Sequence, residues 1–559
     1  MSRRVRTLLA VAVACTWLAA CERKQEAPAT EASSTAPKQQ LFDGLGGVHL
    51  DITTSSPDAQ KYFDQGLALA FAFNHAAADL AFTEAQTIDP ACAMCYWGSA
   101  LVLGPNVNAK MEPGNVPRAY TLVTKAAELG GSAGATEQAL IKALQQRYEA
   151  DASTDRSHLD RNYAQAMREV AKAYPDNDDV QALTAESLMD VHPWDFWIVA
   201  TGEAQPWTQE IVDLIEGALK LNPDHVGAIH LYIHAVEQSQ DANRAAAYAD
   251  RLAALAPTAG HLVHMPAHIY IRVGRYYDST INNEAATKAD ISFMAACRSD
   301  GPIYKAGYVP HNWHFGWITA AIAGWSEKAI ELAKGTSTSF PKELMSVPAL
   351  AISQNFYVQP LFAYVRFAKW DDILAYPEPD ANLIFARAAW TYAQGRAQLA
   401  KGNMEGAQKH LDALQALVED PAMTELTFFE INNASDVAEI GEAQLRAEIA
   451  SAKGDSKTAI DTLKEAVTLE DQLHYSEPPD WFYPVRHSLG AEQLKAGDAK
   501  GAEETYRQDL ATFPENGWGL FGLEQALRAQ KKGTEADEVA ARFKKAWEHA
   551  DVQLTTTRL

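Results

Sequence analysis

Positive charge is in short supply. Lys and Arg total 48 against 72 Asp and Glu, a formal net charge of −24 over 559 residues. With no basic stripe or patch, nucleic acid is excluded as a partner. Cysteine is scarce too, at five residues, so the chain is no disulfide-stapled scaffold. Past the N-terminal leader no run of 18 apolar residues occurs, and the body has no candidate membrane-spanning helix. The GxSxG elbow, the GxxxxGK[ST] loop and a GxGxxG after a strand are also missing, which removes the commonest signatures of serine hydrolases, P-loop enzymes and dinucleotide enzymes.

The leader itself is informative. Arg3, Arg4 and Arg6 precede an apolar run from Leu8 to Trp17, too short to span a bilayer as an ordinary helix. "LAAC" follows, Leu18 to Cys21. It resembles the bacterial lipobox, which implies removal of residues 1–20 as a signal peptide and lipidation of Cys21. Residues 22–40 are polar and rich in Ala, Pro, Ser and Thr, a flexible tether in composition. Glu22 follows the Cys where Asp would signal inner-membrane retention. The expected location is therefore the bacterial cell envelope, facing the periplasm, at the outer membrane. In that oxidising compartment Cys92 and Cys95 of "CAMC" read as a disulfide, with a soft metal site as the alternative. Cys297 reads as a lone buried thiol.

Repeats dominate what is present. "KGNMEGAQKHL", "KGDSKTAIDTL", "AGDAKGAEETY", "VGRYYDSTINN" and "AGWSEKAIELA" each place a Gly at a turn and a small residue five positions later. "IDP", "LNP", "LAP" and "TFP" close units at Pro90, Pro223, Pro257 and Pro514. This phrasing resembles the tetratricopeptide repeat. The resemblance implies an all-α, right-handed solenoid of helical hairpins, about ten units over most of residues 55–550. The expected organisation is a tether over 21–50, N-terminal repeats over 51–177, central repeats over 178–345 and C-terminal repeats over 346–559. Phrases such as "HLYIHAVE", "GHLVHMPAHIYIRVG" and "PHNWHF" resemble bacterial secreted tetratricopeptide proteins with an HMPAH-type His-rich motif. That likeness brings no catalytic assignment.

Seven of the 16 histidines fall in three of these segments. Anchoring each unit on its Pro or turn Gly starts units at Asp178, Val226, Gly260 and Pro310. In such repeats the first helix packs through positions 4, 7, 8 and 11 and lines the concave groove with positions 2, 5, 9, 12 and 13. His230, His234, His261, His264, His268, His311 and His314 all take groove positions in this register. Glu237, Glu186 and Asp190 do as well. Pro266 predicts a kink or a late helix start near His264.

Two histidines at i, i+4 on one helix form a bidentate metal arrangement, as at 230/234 and 264/268. The expected cofactor is a transition-metal ion, copper, zinc or iron, and the ligand count suffices for two. Glu186, Asp190 and Glu237 are the candidate catalytic carboxylates, able also to orient ring N–H groups. Two units carry aromatic insertions, "VHPWDFWIVATGEAQPW" and "FMAACRSDGPIYKAGY", of the kind that form lids. Asp195, Trp194, Trp197 and Tyr304 are candidates there, Asp195 and Trp197 on the substrate side. His487, in "EPPDWFYPVRHSLG", could face the same cavity after a superhelical turn. Three functions fit: a metal-dependent oxidase or hydrolase of a small substrate, a metal-delivery protein, or a scaffold for envelope proteins. The expected partners are accordingly the membrane through Cys21 and either a small molecule or an envelope protein.

Overall fold

Each hairpin begins with local chemistry visible in the chain. Ser56, Asn74, Asn177, Asn403, Asp455, Asp498 and Asn516 cap helices by accepting an N–H from the first turn, satisfying donors that have no partner inside the helix. Between paired helices the chain reverses through a left-handed residue. Gly274, Gly324, Gly402, Gly454 and Gly497 hold φ between +73° and +83° there, where a Cβ is strained. The small residue five positions on is Ser279, Ala329, Ala407, Ala459 or Ala502, and each is fully buried. That lets the two helices of a hairpin approach closely.

The computed structural model describes residues 40–151, 155–198, 201–297, 304–347 and 350–559. Cys21 and the leader lie outside them. The described body is an all-α solenoid of tetratricopeptide-like hairpins, from Pro57–Phe71 paired with His75–Ile88 to Gly517–Ala529 paired with Gly533–Ala546. Its one ladder among the described residues joins Thr427–Phe428 to Asn432–Asn433. First helices also contact the first helices of neighbouring hairpins, as Asp178–Met189 does Val226–Val236. No described helix is long and apolar enough to cross a membrane. Cys92 and Cys95 are joined as a disulfide, and Cys297 is buried.

The superhelix closes on itself. On the N-terminal side Thr258 donates to the carbonyl of Gly44 at 3.1 Å, and a Cβ on Gly46 would meet Val226 at 2.7 Å. On the C-terminal side Tyr276 donates to the Pro514 carbonyl at 2.8 Å, Trp518 to that of Ala321 at 2.9 Å, and Asp551 accepts from the amide N–H groups of Ser326 and Glu327. Two apolar cores result. One runs from Leu45 to Val309 and the other from Ala267 to Trp518. The helix Pro266–Arg272 feeds both: Ile269 and Tyr270 join the first, Ala267 and Ile271 the second. The histidines lie along this seam.

Candidate metal centre

Three first helices build the site. Val226–Val236 is buried along its whole length and turns His230 and His234 the same way, four residues apart. The next is divided by Pro266 into Gly260–His264 and Pro266–Arg272. Met265, at φ −51° and ψ −37°, keeps the backbone helical across the break, so the expected kink is only an interruption of hydrogen bonding. His264 and His268 stay on one face. Val309–Ile322 supplies His311. The ligand atoms of His230, His234 and His261 lie within 4.8 Å of one another, as do those of His264, His268 and His311 and those of Glu237, His268 and Glu477.

Hydrogen bonds fix the ring tautomers. His230 Nδ1 meets the Phe71 carbonyl at 2.7 Å. His234 Nδ1 meets Glu237 Oε1 at 2.9 Å and His268 Nδ1 meets Glu237 Oε2 at 2.6 Å. His264 Nδ1 meets Asn283 Oδ1 at 2.6 Å. The Asn283 amide is oriented by its own NH2, which donates to the Ser279 carbonyl. All four partners are acceptors, so each Nδ1 carries a proton, and the neutral rings of His230, His234 and His264 present a lone pair at Nε2. Those lone pairs point inward. His264 Nε2 and His268 Nε2 stand 2.8 Å apart, and His230 Nε2 and His261 Nε2 3.1 Å. His234 Nε2 and His261 Nδ1 are buried with no hydrogen-bond partner.

Electrostatics keep most of the rings neutral. Burial, then the neighbouring imidazoles, push His230, His261, His264 and His311 well below the ordinary 6.5. Burial lowers His234 as well, despite Glu237. His268 is the exception: burial acts downward, but Glu237 and Glu477 outweigh it and raise the ring. Glu237 is fully buried and would rise on that account, yet His268 and His234 hold it down. One carboxylate thus ties a ring of the first trio to a ring of the second.

Aromatic side chains wall the cluster, and two are held by costly backbone. Phe73, at φ +53°, occupies the turn position that Gly fills in five other hairpins and Ala368 and Lys531 in two more, and Trp194 sits at φ +61°. Non-Gly residues there are strained by ~1–3 kcal/mol. The Phe73 ring lies 4.3 Å from His230, 6.0 Å from His234 and 5.9 Å from His261. Trp194 meets His234 edge-on at 5.2 Å. Phe315 covers His264 and His268 at 5.2 and 4.9 Å.

Other expected site residues stand apart. His314 rests against Phe356, and burial pushes it down to about 3. One turn beyond His311, it serves the packing of the next hairpin. Glu186 and Asp190 line a separate cavity of about 10 Å³ beside Arg147 and His75, room for roughly one water. Arg147 binds Asp190 at 2.5 Å and Asp160 at 3.2 Å, and burial raises both Glu186 and Asp190. Asp195 is exposed and accepts from Gln205, while Trp197 donates to the Ala235 carbonyl. Both anchor the insertion, leaving Trp194 as its residue at the cluster. Tyr304 binds Asp290 at 2.7 Å and accepts from the His261 N–H at 3.3 Å. His487 is held by Arg366 and Asp509, each at 3.1 Å. From the same "EPPDWFYPVRHSLG" phrase it is Glu477 that arrives, 3.2 Å from His268 Nδ1, together with Tyr475, which donates to Glu237 at 3.4 Å. Phe73, Asn283, Tyr475 and Glu477 carried no sequence signal of their own. The nearest hint was a Phe at a turn where the repeat asks for Gly.

No protein-family model matches the chain, and no curated protein sequence does. Among solved structures it is similar to a chain of the APC/C hetero-tetramer Cut9–Hcn1, at 13% identity over 87% of this chain and 76% of that one, with a TM-score of 0.31. It is similar to human IFIT1 in a dimer with m7Gppp-AAAA at 12% identity, covering 89% and 91%, with a TM-score of 0.31. A Naa15/Naa10 structure bound to HypK-THB gives 14% identity, 88% and 70% coverage and a TM-score of 0.23. At such scores neither a residue nor a role transfers from these proteins.

Proposed function

We propose that this chain is a metal-dependent enzyme centred on the six-histidine cluster. His230, His234 and His261 hold one transition-metal ion, and His264, His268 and His311 a second. The contact between His264 and His268 carries the reading. Both rings commit Nδ1–H outward, so their two Nε2 atoms, 2.8 Å apart inside the protein, have to share a single cation. Such an arrangement repels unless a cation, a proton or a metal, lies at it. A proton on His268 satisfies that one pair but does nothing for the unpartnered His234 Nε2 and His261 Nδ1.

Neutral imidazoles suit copper, zinc or iron rather than magnesium or calcium. Three protein ligands per ion leave a coordination position open, the pattern of a catalytic site. Bound there, the metal supplies Lewis acidity or electron transfer, hence hydrolytic or oxidative chemistry on a small substrate. The chain's own groups do the rest. The Phe71 carbonyl, Glu237 and Asn283 hold the ligating tautomer. Phe73, Trp194 and Phe315 keep water from the rings. Burial argues against a delivery protein, which must expose its ion to a partner, and the self-closed groove argues against a scaffold. In the same proposal Cys21 is lipidated and anchors the enzyme in the bacterial envelope, facing the periplasm at the outer membrane.

Elemental analysis of the purified full chain, beside a His264→Ala/His268→Ala variant, tests this. The wild type is expected to carry copper, zinc or iron, and the variant to lose the metal of the second trio while keeping its helical circular dichroism. A wild type that takes up none of the three from a loading buffer, or a variant with an undiminished metal content, refutes it.

A further inference from the structure

A second cavity, of about 220 Å³, lies beside the metal cluster but is lined by none of its six histidines. That is far more than the ~10–15 Å³ a single water requires. It borders His268 on the Nδ1 side, through Glu477 and Tyr475, whereas the other imidazoles converge on Nε2. Arg272, one turn beyond His268 on the same helix, is also in its wall.

The wall is polar and incompletely satisfied. Among the described residues nothing hydrogen-bonds or ion-pairs with Arg272, whose guanidinium lies 5.8 Å from the Tyr475 ring, and its Nε is buried and unpartnered. Arg486 commits both terminal nitrogens to Asp471 at 2.7 Å, leaving Nε idle. Trp481 Nε1 is idle as well. These three donors call for an acceptor. Opposite in kind, Asp509 spends Oδ2 on His487 and Asn516 and leaves Oδ1 without a partner. Glu477 Oε2, by contrast, is already paired with His268 Nδ1 at 3.2 Å. Asp509, Glu477 and Trp481 are no more than 5% exposed. Buried polar atoms are ordinarily paired, and four idle atoms around one cavity, three donors and one acceptor, are the imprint of a missing occupant.

We infer that this cavity binds a small zwitterion of the α-amino-acid class, its carboxylate received by Arg272 and Arg486 and its ammonium by Asp509. A plain anion would answer the donors and leave the idle, buried oxygen of Asp509 facing it. A plain amine would leave the N–H groups of Arg272, Arg486 and Trp481 unanswered. Only a molecule carrying both groups completes the set. Trp481, Ile271 and Phe513 offer apolar surface for its side chain. The bound molecule lies one carboxylate away from His268. The inference stands on this cavity alone and does not require metal in the cluster.

The test is calorimetric titration of the full chain with each ordinary L-amino acid, and with the amine and the carboxylic acid matching any that bind. It is run on native protein and on protein stripped by a chelator, because amino acids themselves ligate metals. At least one amino acid is expected to bind the stripped protein, with its amine and acid analogues about tenfold weaker or more. Arg272→Gln should weaken the amino acid by about ten- to a hundredfold and leave the amine unchanged, the loss of one charge-assisted contact. Asp509→Asn should do the reverse, sparing the acid. If Arg272→Gln fails to fold, Arg272→Lys keeps the charge and should retain most of the affinity. No binding to stripped protein at about 10 mM, too weak for recognition, overturns the inference. So does an amine or an acid that binds as well as the amino acid.

Discussion

Replacing Glu237 by Gln asks how much of the centre depends on one carboxylate. In the wild type its two oxygens accept from His234 Nδ1 at 2.9 Å and His268 Nδ1 at 2.6 Å. A Gln amide has a single oxygen, so one ring keeps its acceptor and the other meets an NH2. That ring then either faces donor against donor, at about 1–3 kcal/mol, or moves its proton to Nε2 and forfeits the ligating lone pair. Loss of such an outer-shell partner weakens metal binding about 10–100-fold, or roughly 1.4–2.7 kcal/mol. Removing the negative charge also deprives His268 of the nearer of its two carboxylates, so the ring falls back toward neutrality. That relief keeps the cost to the metal-free chain below the ~3–5 kcal/mol of a stranded buried charge. The assay is metal retention against a graded competing chelator, followed by thermal melting of the stripped protein. Glu237→Gln is expected to release metal at about 10–100-fold lower chelator activity, with only a modest fall in melting temperature. Wild-type retention in the variant would mean that Glu237 does not set the tautomers, and the argument from lone pairs would fail with it.

Chelation of the wild type should remove the metal and leave helical circular dichroism intact, because the stacked hairpins bury a continuous core of their own; collapse of the helical signal in step with metal loss would make the histidines a structural clamp. Leu489→Ala, by contrast, opens a buried cavity and should cost about 2–5 kcal/mol in chemical denaturation. Gly260→Ala places a Cβ in collision with Asp290, which is held by Tyr304 and Asn312; a loss of ~1–3 kcal/mol and a weakened first trio, through its neighbour His261, are expected from melting and metal content. Acid should destabilise the stripped protein. His75 and His314 are held at about 4 and about 3 by burial, so their contribution is complete above the unfolded value near 6.5 and drains away as pH falls below it. At ~1.4 kcal/mol per pH unit each, about 2 kcal/mol per residue is gone by pH 5. His268 and the buried carboxyls of Glu186 and Asp190, raised in the folded chain, work in the other direction; a His314→Gln variant whose melting temperature changes from pH 7 to 5 just as the wild type's does would contradict the burial argument. Cys21→Ser should free the protein from the membrane fraction, and persistence there in high salt would remove the anchor.

The hairpins were legible because their signals are local. A Gly that must turn left-handed and a small residue five positions on, where two helices touch, both leave marks within a dozen residues. The gathering of His230, His234, His261, His264, His268 and His311 was legible for a related reason: one register, applied to three units, assigns their faces. His314 obeys the same register yet turns to Phe356, because the tilt between hairpins is not written in the spacing. Glu186 and Asp190 share the face but not the site, since Arg147, from an earlier hairpin, claims Asp190. Glu477 and Tyr475 could not be seen at all. They reach His268 and Glu237 only because the last third of the chain folds back on the middle, and that closure depends on contacts such as Tyr276 with Pro514 that no short pattern announces.

The closure also changes what kind of object the repeat array is. An open solenoid is a stack: units can be added or lost at its ends, and each melts with some independence. Here the carbonyl of Pro514 lies where a Cβ on Gly274 would come within 2.5 Å, and Asp551 caps the helix that starts at Ser326. Each end of the array is closed onto the middle hairpins, so the number of units on either side is fixed by the distance to be closed. Duplicating or deleting one hairpin, a routine event in the history of open repeats, would move Glu477 by a full hairpin relative to His268 and part the two sides of the centre. Variation in such a chain must therefore be absorbed in the insertions between helices, and an early proteolytic nick there should leave the fragments associated.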